Sequence, residues 1–387
     1  MIVNCFMEMP LQTKITIAVV AILIAGLGVW FFMSRDDAAK RAEEVKRQVN
    51  VQGDVELIND GPISPISGIE CENWNRRPLA VMQPGDVPAR PTAGFSQADM
   101  VIEMPVITAS VTRLMGVYVC ELPEEVGSMR SARHDFIHLA KGLDAVFVPW
   151  GRSEAHGDDP IGLAQGILNR NEIENINCNQ DAGTSSNACS GEPCFRKEGF
   201  ARGVDSGYGK PAEMMACAEE LGYRTTSEFE GYPHKKEAEL DSRGDDGSRL
   251  RVGYAGPFGV DYTYDRESNT FLRVWGDVVD TDRNTGEQLA PKNIVVMFAK
   301  SEQIEGQYNN VQLGDPWYDT EDSGDAFYYM DGYEYRGTWK KDKGDIASKL
   351  QFFDESGAEI AFVQGQIWVE VLEPGQGHKW RPAKQPE

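Results

Sequence analysis

Residues 126–151 have the sequence VGSMRSARHDFIHLAKGLDAVFVPWG, which predicts a helix followed directly by a buried strand. At 100° per residue, the apolar side chains of a helix over 130–143 fall within one arc of about 100°, which we expect to face the core. These side chains are Ala132, Phe136, Leu139, Ala140 and Leu143. The opposite face carries Arg130, His134, His138 and Lys141, which predicts a polar stripe directed away from the core.

Strands and helices alternate on both sides of this stretch. RPLAVM (77–82), ADMVIEMPV (98–106) and VTRLMGVYVCEL (111–122) predict strands, and KPAEMMACAEELGY (210–223) predicts a helix that ends at Gly222. This alternation indicates an α/β domain over 61–225.

The chain after this domain becomes rich in β pattern. A polar segment, 226–250, predicts an exposed linker, and 251–373 predicts a smaller antiparallel β-rich domain followed by a tail, 374–387. The strongest turn signal is Asp331-Gly332 between two aromatic strands, typical of a two-residue hairpin. The predicted fold class is therefore α+β.

The N-terminal segment predicts a membrane anchor. Residues 15–33, ITIAVVAILIAGLGVWFFM, carry no charge and would span about 28 Å as a helix, close to the hydrocarbon thickness of a bilayer. No A-x-A-like cleavage site follows, which disfavours a cleaved signal peptide. We predict a single-pass transmembrane helix within 1–34 and a charged stalk or linker over 35–60.

Two signals disagree about which side of the membrane holds the bulk of the chain. Lys14 precedes the span and five basic residues follow it closely, which favours the cytoplasm by the positive-inside rule. An even number of cysteines beyond the span instead favours disulfides in an oxidising compartment. These are Cys71, Cys120, Cys178, Cys189, Cys194 and Cys217.

The charge balance limits the classes of partner. The formal net charge is −23, from 61 acidic and 38 basic residues, whereas nucleic-acid binding uses a basic face. We expect no nucleic-acid partner.

Metal sites are also disfavoured. His134 and His138 have the i,i+4 spacing of a ligand pair, with Asp135 beside them, but no third ligand is nearby. Cys178, Cys189 and Cys194 lack CxxC spacing, so a stapled loop is favoured over zinc. The stretch DTDRNTGEQ (280–288) has alternating polar side chains like the start of a calcium-binding loop. However, its glycine is one position too late, and the twelfth position counted from Asp280 is not the glutamate that such a loop requires. A hairpin turn is therefore favoured. We expect neither a metal nor a cofactor.

Six motifs, in order along the chain, resemble the YerB-like family of bacterial lipoproteins and membrane-anchored proteins. They are ARPTAGFSQADMVIEMPV, VTRLMGVY, VGSMRSARHDFIHLAKGLDAVFV, DTDRNTGEQLAPKNIVV, YRGTWKK and GQIWVEVL. The resemblance implies an extracytoplasmic location facing the cell wall and an α/β domain followed by a smaller β domain. The family has no established activity.

This chain departs from the family pattern at several positions. The family usually has proline where His134 stands, aspartate where His138 stands, and a histidine near the PWG segment (149–151). Its PHNLY segment has no clear counterpart, GVDSGYGK (203–210) being the nearest. The residues that match are Glu103, Thr112, Arg113, Arg130, Ser131, Arg133 and Asp144.

The matching arginines form the candidate site. Ser131 is predicted as the helix N-cap, and Arg130 and Arg133 would add positive charge where the helix dipole is already positive. Such a charge requires an anionic partner, so Arg113, Arg130, Ser131 and Arg133 are our candidate ligand-binding residues. The anion is either a ligand carboxylate or phosphate, or an internal carboxylate such as Glu103.

Two classes of function remain open from the sequence. The first is a membrane-tethered, extracytoplasmic binding or regulatory module that contacts a cell-wall component or an envelope protein. The second is an envelope hydrolase acting on wall or phosphate-bearing polymer, with Glu103 or Asp144 as the acid or base beside the arginines.

Overall fold

The computed structural model describes residues 57–58, 61–153, 163–180, 183–305, 308–311, 313 and 321–383. The predicted membrane span at 15–33 and most of the stalk lie outside these residues. Among the helices within the described ranges, none is long and apolar enough to cross a membrane. Residues Val55–Glu387 belong to one compact unit.

The described chain is mostly β, with few helices. The strands are β1 (Leu79–Pro84), β2 (Met100–Pro105), β3 (Thr112–Tyr118), β4 (Val126–Gly127), β5 (Val146–Val148), β6 (Cys194–Arg196), β7 (Gly207–Gly209), β8 (His234–Lys235), β9 (Arg249–Val252), β10 (Val260–Asp265), β11 (Thr270–Trp275), β12 (Val278–Val279), β13 (Asn293–Phe298), β14 (Ser301–Glu305), β15 (Tyr308–Val311), β16 (Ser323–Met330), β17 (Tyr333–Lys340), β18 (Gln351–Asp354), β19 (Phe362–Val363), β20 (Ile367–Leu372) and β21 (His378–Arg381). The α-helices are α1 (His134–Gly142), α2 (Ala164–Asn169) and α3 (Pro211–Glu220). Short 3₁₀ turns lie at Val87–Ala89, Phe95–Gln97, Ser186–Ala188, Gly203–Asp205 and Leu240–Ser242.

A nine-stranded mixed sheet, in the order β18-β17-β16-β13-β20-β2-β3-β1-β5, is the centre of the fold. Strands from both predicted domains belong to it, and they meet where β2 pairs with β20 in parallel. The boundaries predicted at 225 and 251 remain predictions. Within the predicted linker, β8 pairs with β19, and both His234 and Lys235 are buried. The prediction that this part of the chain is exposed is therefore wrong.

A second sheet of five strands, in the order β12-β11-β10-β9-β21, belongs to the same hydrophobic cluster as one face of the central sheet. Every second side chain along β10 is buried, namely Val260, Tyr262 and Tyr264, as expected for a strand with one face against the core. The β16–β17 hairpin turns at Asp331 and Gly332, both with positive φ, as the Asp-Gly signal predicts.

Helix α1 packs against the central sheet through its predicted apolar face, where Phe136, Leu139 and Ala140 are buried. It begins at His134, after Arg133, so the prediction of Ser131 as N-cap is wrong. Residues 126–132 are extended instead, because the Met129 and Ala132 amides donate to backbone carbonyls of neighbouring segments.

The predicted solvent-facing stripe of α1 is also wrong. His134 and His138 are each only 1% exposed. The segment that follows β17 covers this face, since a Cβ at Gly142 would lie 2.4 Å from the Ser348 carbonyl oxygen. A wheel for an isolated helix cannot include this cover, which comes from about two hundred residues downstream.

The six cysteines beyond the predicted span form three disulfides. Cys71 pairs with Cys120, Cys178 with Cys194, and Cys189 with Cys217. The second and third bonds fix the polar segment 178–194, as the stapled-loop alternative predicts, to β6 and α3.

Candidate functional site

Three arginines converge on the 3₁₀ turn Gly203–Asp205. Arg130, Arg196 and Arg202, together with Asp86 and Asp205, are called the guanidinium cluster below. Arg130 comes from the extended segment before α1, Arg196 from the end of β6, and Arg202 directly precedes the turn.

Arg130 is the cluster's inner member. Its guanidinium donates to the Val204 carbonyl oxygen and to the Asp205 carboxylate, and lies 3.4 Å from Asp86 Oδ2. Its amide donates to the Met82 carbonyl oxygen, which fixes the segment beside the end of β1. Arg130 is only 9% exposed, so its charge is held mainly by internal partners.

Arg202 and Arg196 are the outer members. Arg202 donates from Nε and Nη2 to both Asp205 oxygens, at 2.6 and 2.7 Å, and lies 3.8 Å from Asp86. Its side chain is 41% exposed. Arg196 is exposed and donates to the Gly203 carbonyl oxygen at 2.7 Å, while its guanidinium stacks 4.4 Å from the centre of the Trp150 ring.

The cluster holds one more positive than negative charge, since three guanidiniums face two carboxylates. Burial acts to raise the pKa of Asp205, but hydrogen bonds from Arg202 and Arg130 outweigh it and the pKa is lowered. The hydrogen bond to Asp205 also raises the pKa of Arg202. Both shifts favour the ionised forms of Asp205 and Arg202.

The other three predicted ligand-binding residues donate to backbone carbonyl oxygens near Arg130. Arg113, on β3, donates to the Ser131 carbonyl oxygen at 2.9 Å, and Ser131 donates from its hydroxyl to the Trp150 carbonyl oxygen at 3.3 Å. The Trp150 amide donates to the Arg130 carbonyl oxygen. Arg133 is buried at the start of α1 and donates to the Ala132 carbonyl oxygen. The ligand-binding role of these residues stays a prediction.

Glu103 lies in a separate, fully buried polar network. Its carboxylate accepts hydrogen bonds from Thr112 and from Arg273, which also contacts Asp280. Glu370 lies opposite Glu103 in the β2–β20 register. Arg273 stacks 4.2 Å from the centre of the Trp368 ring. The internal partner of Glu103 is thus Arg273, and that of Arg130 is Asp205.

Glu370 completes this network. It accepts hydrogen bonds from the hydroxyls of Tyr254, at 3.0 Å, and Tyr262, at 2.5 Å, and its carboxylate is 3.8 Å from Arg273. Burial raises the pKa values of Glu103, Glu370 and Asp280, and the attraction of Arg273 only partly offsets it. Because Arg273 and both tyrosines come from β10, β11 and the segment before β10, the network joins the two sheets.

Asp144, the other predicted acid or base, follows helix α1. It accepts two hydrogen bonds from Arg224 and one from the Glu228 amide. Its backbone has φ 57°, a left-handed conformation that ends the helix. These contacts tie the helix end to the segment after α3, and they share no partner with Glu103.

The structure places the histidine pair of α1 and the acidic turn at 280–288, two stretches whose patterns resemble metal ligands. The rings of His134 and His138 are edge-to-face with centres 6.1 Å apart. Asp282 accepts hydrogen bonds from the amides of Gly94, Ser96 and Asn284, in a turn closed by the Thr281–Gln288 bridge. In the described ranges, no group of three or more His, Cys, Asp or Glu side chains is arranged to hold a metal ion.

Sequence reasoning missed four members of the cluster, namely Asp86, Arg196, Arg202 and Asp205. A signal was present, since 193–210 carries four basic and two acidic residues in a strongly acidic chain. None of the six family motifs includes this segment. Its contacts with Arg130 span 74 and 75 residues, which no local pattern encodes.

Comparison with known proteins gives consistent matches over most of the chain. Residues 66–222 match the family described as "Protein of unknown function (DUF3048) N-terminal domain", and residues 250–369 match its C-terminal domain. "Putative lipoprotein YerB" of Bacillus subtilis (strain 168) is 27% identical over 314 residues, 80% of this chain and 86% of that protein. The crystal structure of YerB protein from Bacillus subtilis is similar with a TM-score of 0.65 and 25% identity, over 80% of this chain and 96% of that one.

Proposed function

Since this chain belongs to the YerB-like family of proteins of unknown function, we propose that it is a membrane-tethered, extracytoplasmic binding module. Its guanidinium cluster recognises a small anionic group on a cell-wall component or on a protein of the envelope. The observation that carries this proposal is the excess positive charge of the cluster at a partly exposed position.

The location rests on three observations. The uncharged segment 15–33 has the length of a membrane span. The three disulfides are typical of a protein in an oxidising compartment. The relative from Bacillus subtilis is named a lipoprotein. Together they favour a single-pass anchor with the folded unit outside the cytoplasm.

The electrostatics favour a small anion over a long polyanion. The chain as a whole carries −23, which repels an extended polyanion along its length. A compact anion at Arg196 and Arg202 experiences mainly the local charge, because interactions beyond about 8 Å are screened at physiological ionic strength.

The positions of the two candidate acids favour binding over hydrolysis. Glu103 is 0% exposed and hydrogen-bonded to Thr112 and Arg273, whereas a general acid must reach the substrate within hydrogen-bond distance. Asp144 is engaged by Arg224 at the end of α1. These positions therefore suit a binding role better than hydrolysis.

Calorimetric titration of the full-length protein in detergent with sodium acetate and with sodium phosphate tests this function. Arg202→Gln should abolish most of the binding, since it removes one of the two outer guanidinium groups of the cluster. Arg251→Gln is the matched control, because Arg251 is an exposed arginine on β9, outside the cluster. Equal binding by the two variants, or no binding of either anion by the wild type, contradicts the proposed site.

A further inference from the structure

Two exposed apolar side chains stand beside the guanidinium cluster. Val87 is 45% exposed and follows Asp86, while Val204 is 60% exposed and precedes Asp205. They are two of only eight exposed large hydrophobic residues in the described chain. Each of the cluster's carboxylates thus has an exposed valine next to it in sequence.

Arg130 brings these two positions together in space. Its guanidinium contacts the Asp86 carboxylate with one nitrogen and the Val204 carbonyl oxygen with the other. The Asp86 side chain and the 204–205 segment therefore meet at one guanidinium group. The two exposed valines next to these contacts, together with Arg202 and Asp86, are called the patch below.

The exposed charges of this patch have opposite sign and only loose mutual contact. Arg202 and Asp86 are 3.8 Å apart, with side chains 41% and 27% exposed. Asp205 occupies the Nε and Nη2 donors of Arg202, and within the described ranges Nη1 makes no hydrogen bond. A carboxylate can bind this nitrogen and the stacked Arg196, while Asp86 can accept a hydrogen bond from an N–H group.

We propose that the patch binds the end of a short peptide, with a free terminal carboxylate next to an apolar side chain. This inference rests on the proposed function and names its ligand class. The carboxylate pairs with Arg202 and Arg196, a peptide N–H donates to Asp86, and the apolar side chain packs on Val87 and Val204. A doubly charged phosphate suits the patch less well, because the cluster has a single excess positive charge and Asp86 repels it.

Three probes and matched variants test the ligand class by titration of the full-length protein in detergent. The probes are N-acetyl-Ala-Val with a free carboxylate, the same dipeptide as its terminal amide, and acetate. We expect the acid dipeptide to bind at least about 10-fold more tightly than acetate, and the amide to lose most of this affinity. Val204→Ser should weaken the acid dipeptide about 5-fold, consistent with loss of part of one apolar contact, and should weaken it more than it weakens acetate.

Val278→Ser is the control, because Val278 on β12 is 67% exposed and lies outside the patch. If acetate binds through Arg202 but the acid dipeptide binds no better, the peptide inference is overturned and the proposed function stands. Equal effects of Val204→Ser and Val278→Ser, or equal binding of acid and amide, overturn it in the same way. If neither acetate nor the acid dipeptide binds, both proposals fail.

Discussion

Arg273 is the residue whose replacement most directly perturbs the contact between the two sheets. It is 0% exposed and contacts Glu103, Asp280 and Glu370. Arg273→Met keeps much of the side-chain volume but removes the only cation in direct contact with these carboxyl groups among the described residues. Removing one partner of a buried ion pair costs about 3–5 kcal/mol, because the remaining charge has no compensation.

The size of this loss should depend on pH. Burial raises the pKa values of all three carboxyl groups in the folded protein, and without Arg273 these values rise further. A group with a raised folded pKa contributes stability below its unfolded pKa, about 4, and loses it as pH rises through the folded value. Each additional pKa unit corresponds to about 1.4 kcal/mol, so the deficit of Arg273→Met should be smaller at pH 5 than at pH 8.

Urea unfolding at pH 5 and pH 8, followed by tryptophan fluorescence, measures this effect. Adding Glu103→Gln to Arg273→Met should restore about 1–2 kcal/mol at pH 8, since one buried carboxylate is removed. A deficit below about 1 kcal/mol, or one that is equal at both pH values, would refute the assignment of Arg273 as the compensating charge.

Gly207→Ala should lower the free energy of unfolding by about 1–3 kcal/mol, because a Cβ there would lie 2.8 Å from the Trp150 ring. Gly203→Ala has open space around its Cβ, and equal urea midpoints for the two variants would contradict this packing. Acidification from pH 7 to 5 should destabilise the wild type more than His138→Asn. Burial, with His134, Lys341 and Lys141 nearby, holds the pKa of His138 well below its ordinary value. The stability that the neutral form provides is therefore lost as pH falls below about 6.5. Equal pH dependence of the unfolding free energy in the wild type and His138→Asn would argue against this. Replacing Cys178 and Cys194 by serine should lower stability by about 2–4 kcal/mol and also weaken acetate binding, since β6 carries Arg196. Serine at Cys71 and Cys120 should lower stability without changing acetate affinity. If acetate affinity is also unchanged in the Cys178/Cys194 variant, the Cys178–Cys194 disulfide does not support the cluster.

Local patterns were sufficient for several elements of the fold. Helix α1 buries Phe136, Leu139 and Ala140 as its period predicts, and the hairpin at Asp331-Gly332 follows from turn chemistry alone. Helix α3 ends before Gly222, which has a positive φ. These features depend on interactions between residues close in sequence, or on one face of one element.

Long-range contacts account for the failures. The histidines of α1 are buried because the segment near Ser348 covers them, and the helix starts late because 126–132 pairs with distant backbone. Glu103 has its internal partner in Arg273, which is 170 residues away in sequence. Arg196 and Arg202 join Arg130 only through the folded turn at 203–205.

The most direct test of anion recognition is an NMR titration with acetate that follows the Nε–Hε signals of the arginine side chains. We expect saturable shifts of the Arg196 and Arg202 signals, with the Arg251 signal unchanged, and we expect the Arg196 shift to be lost in Arg202→Gln. Shifts of equal size at Arg251, or none at Arg196 and Arg202, would contradict it.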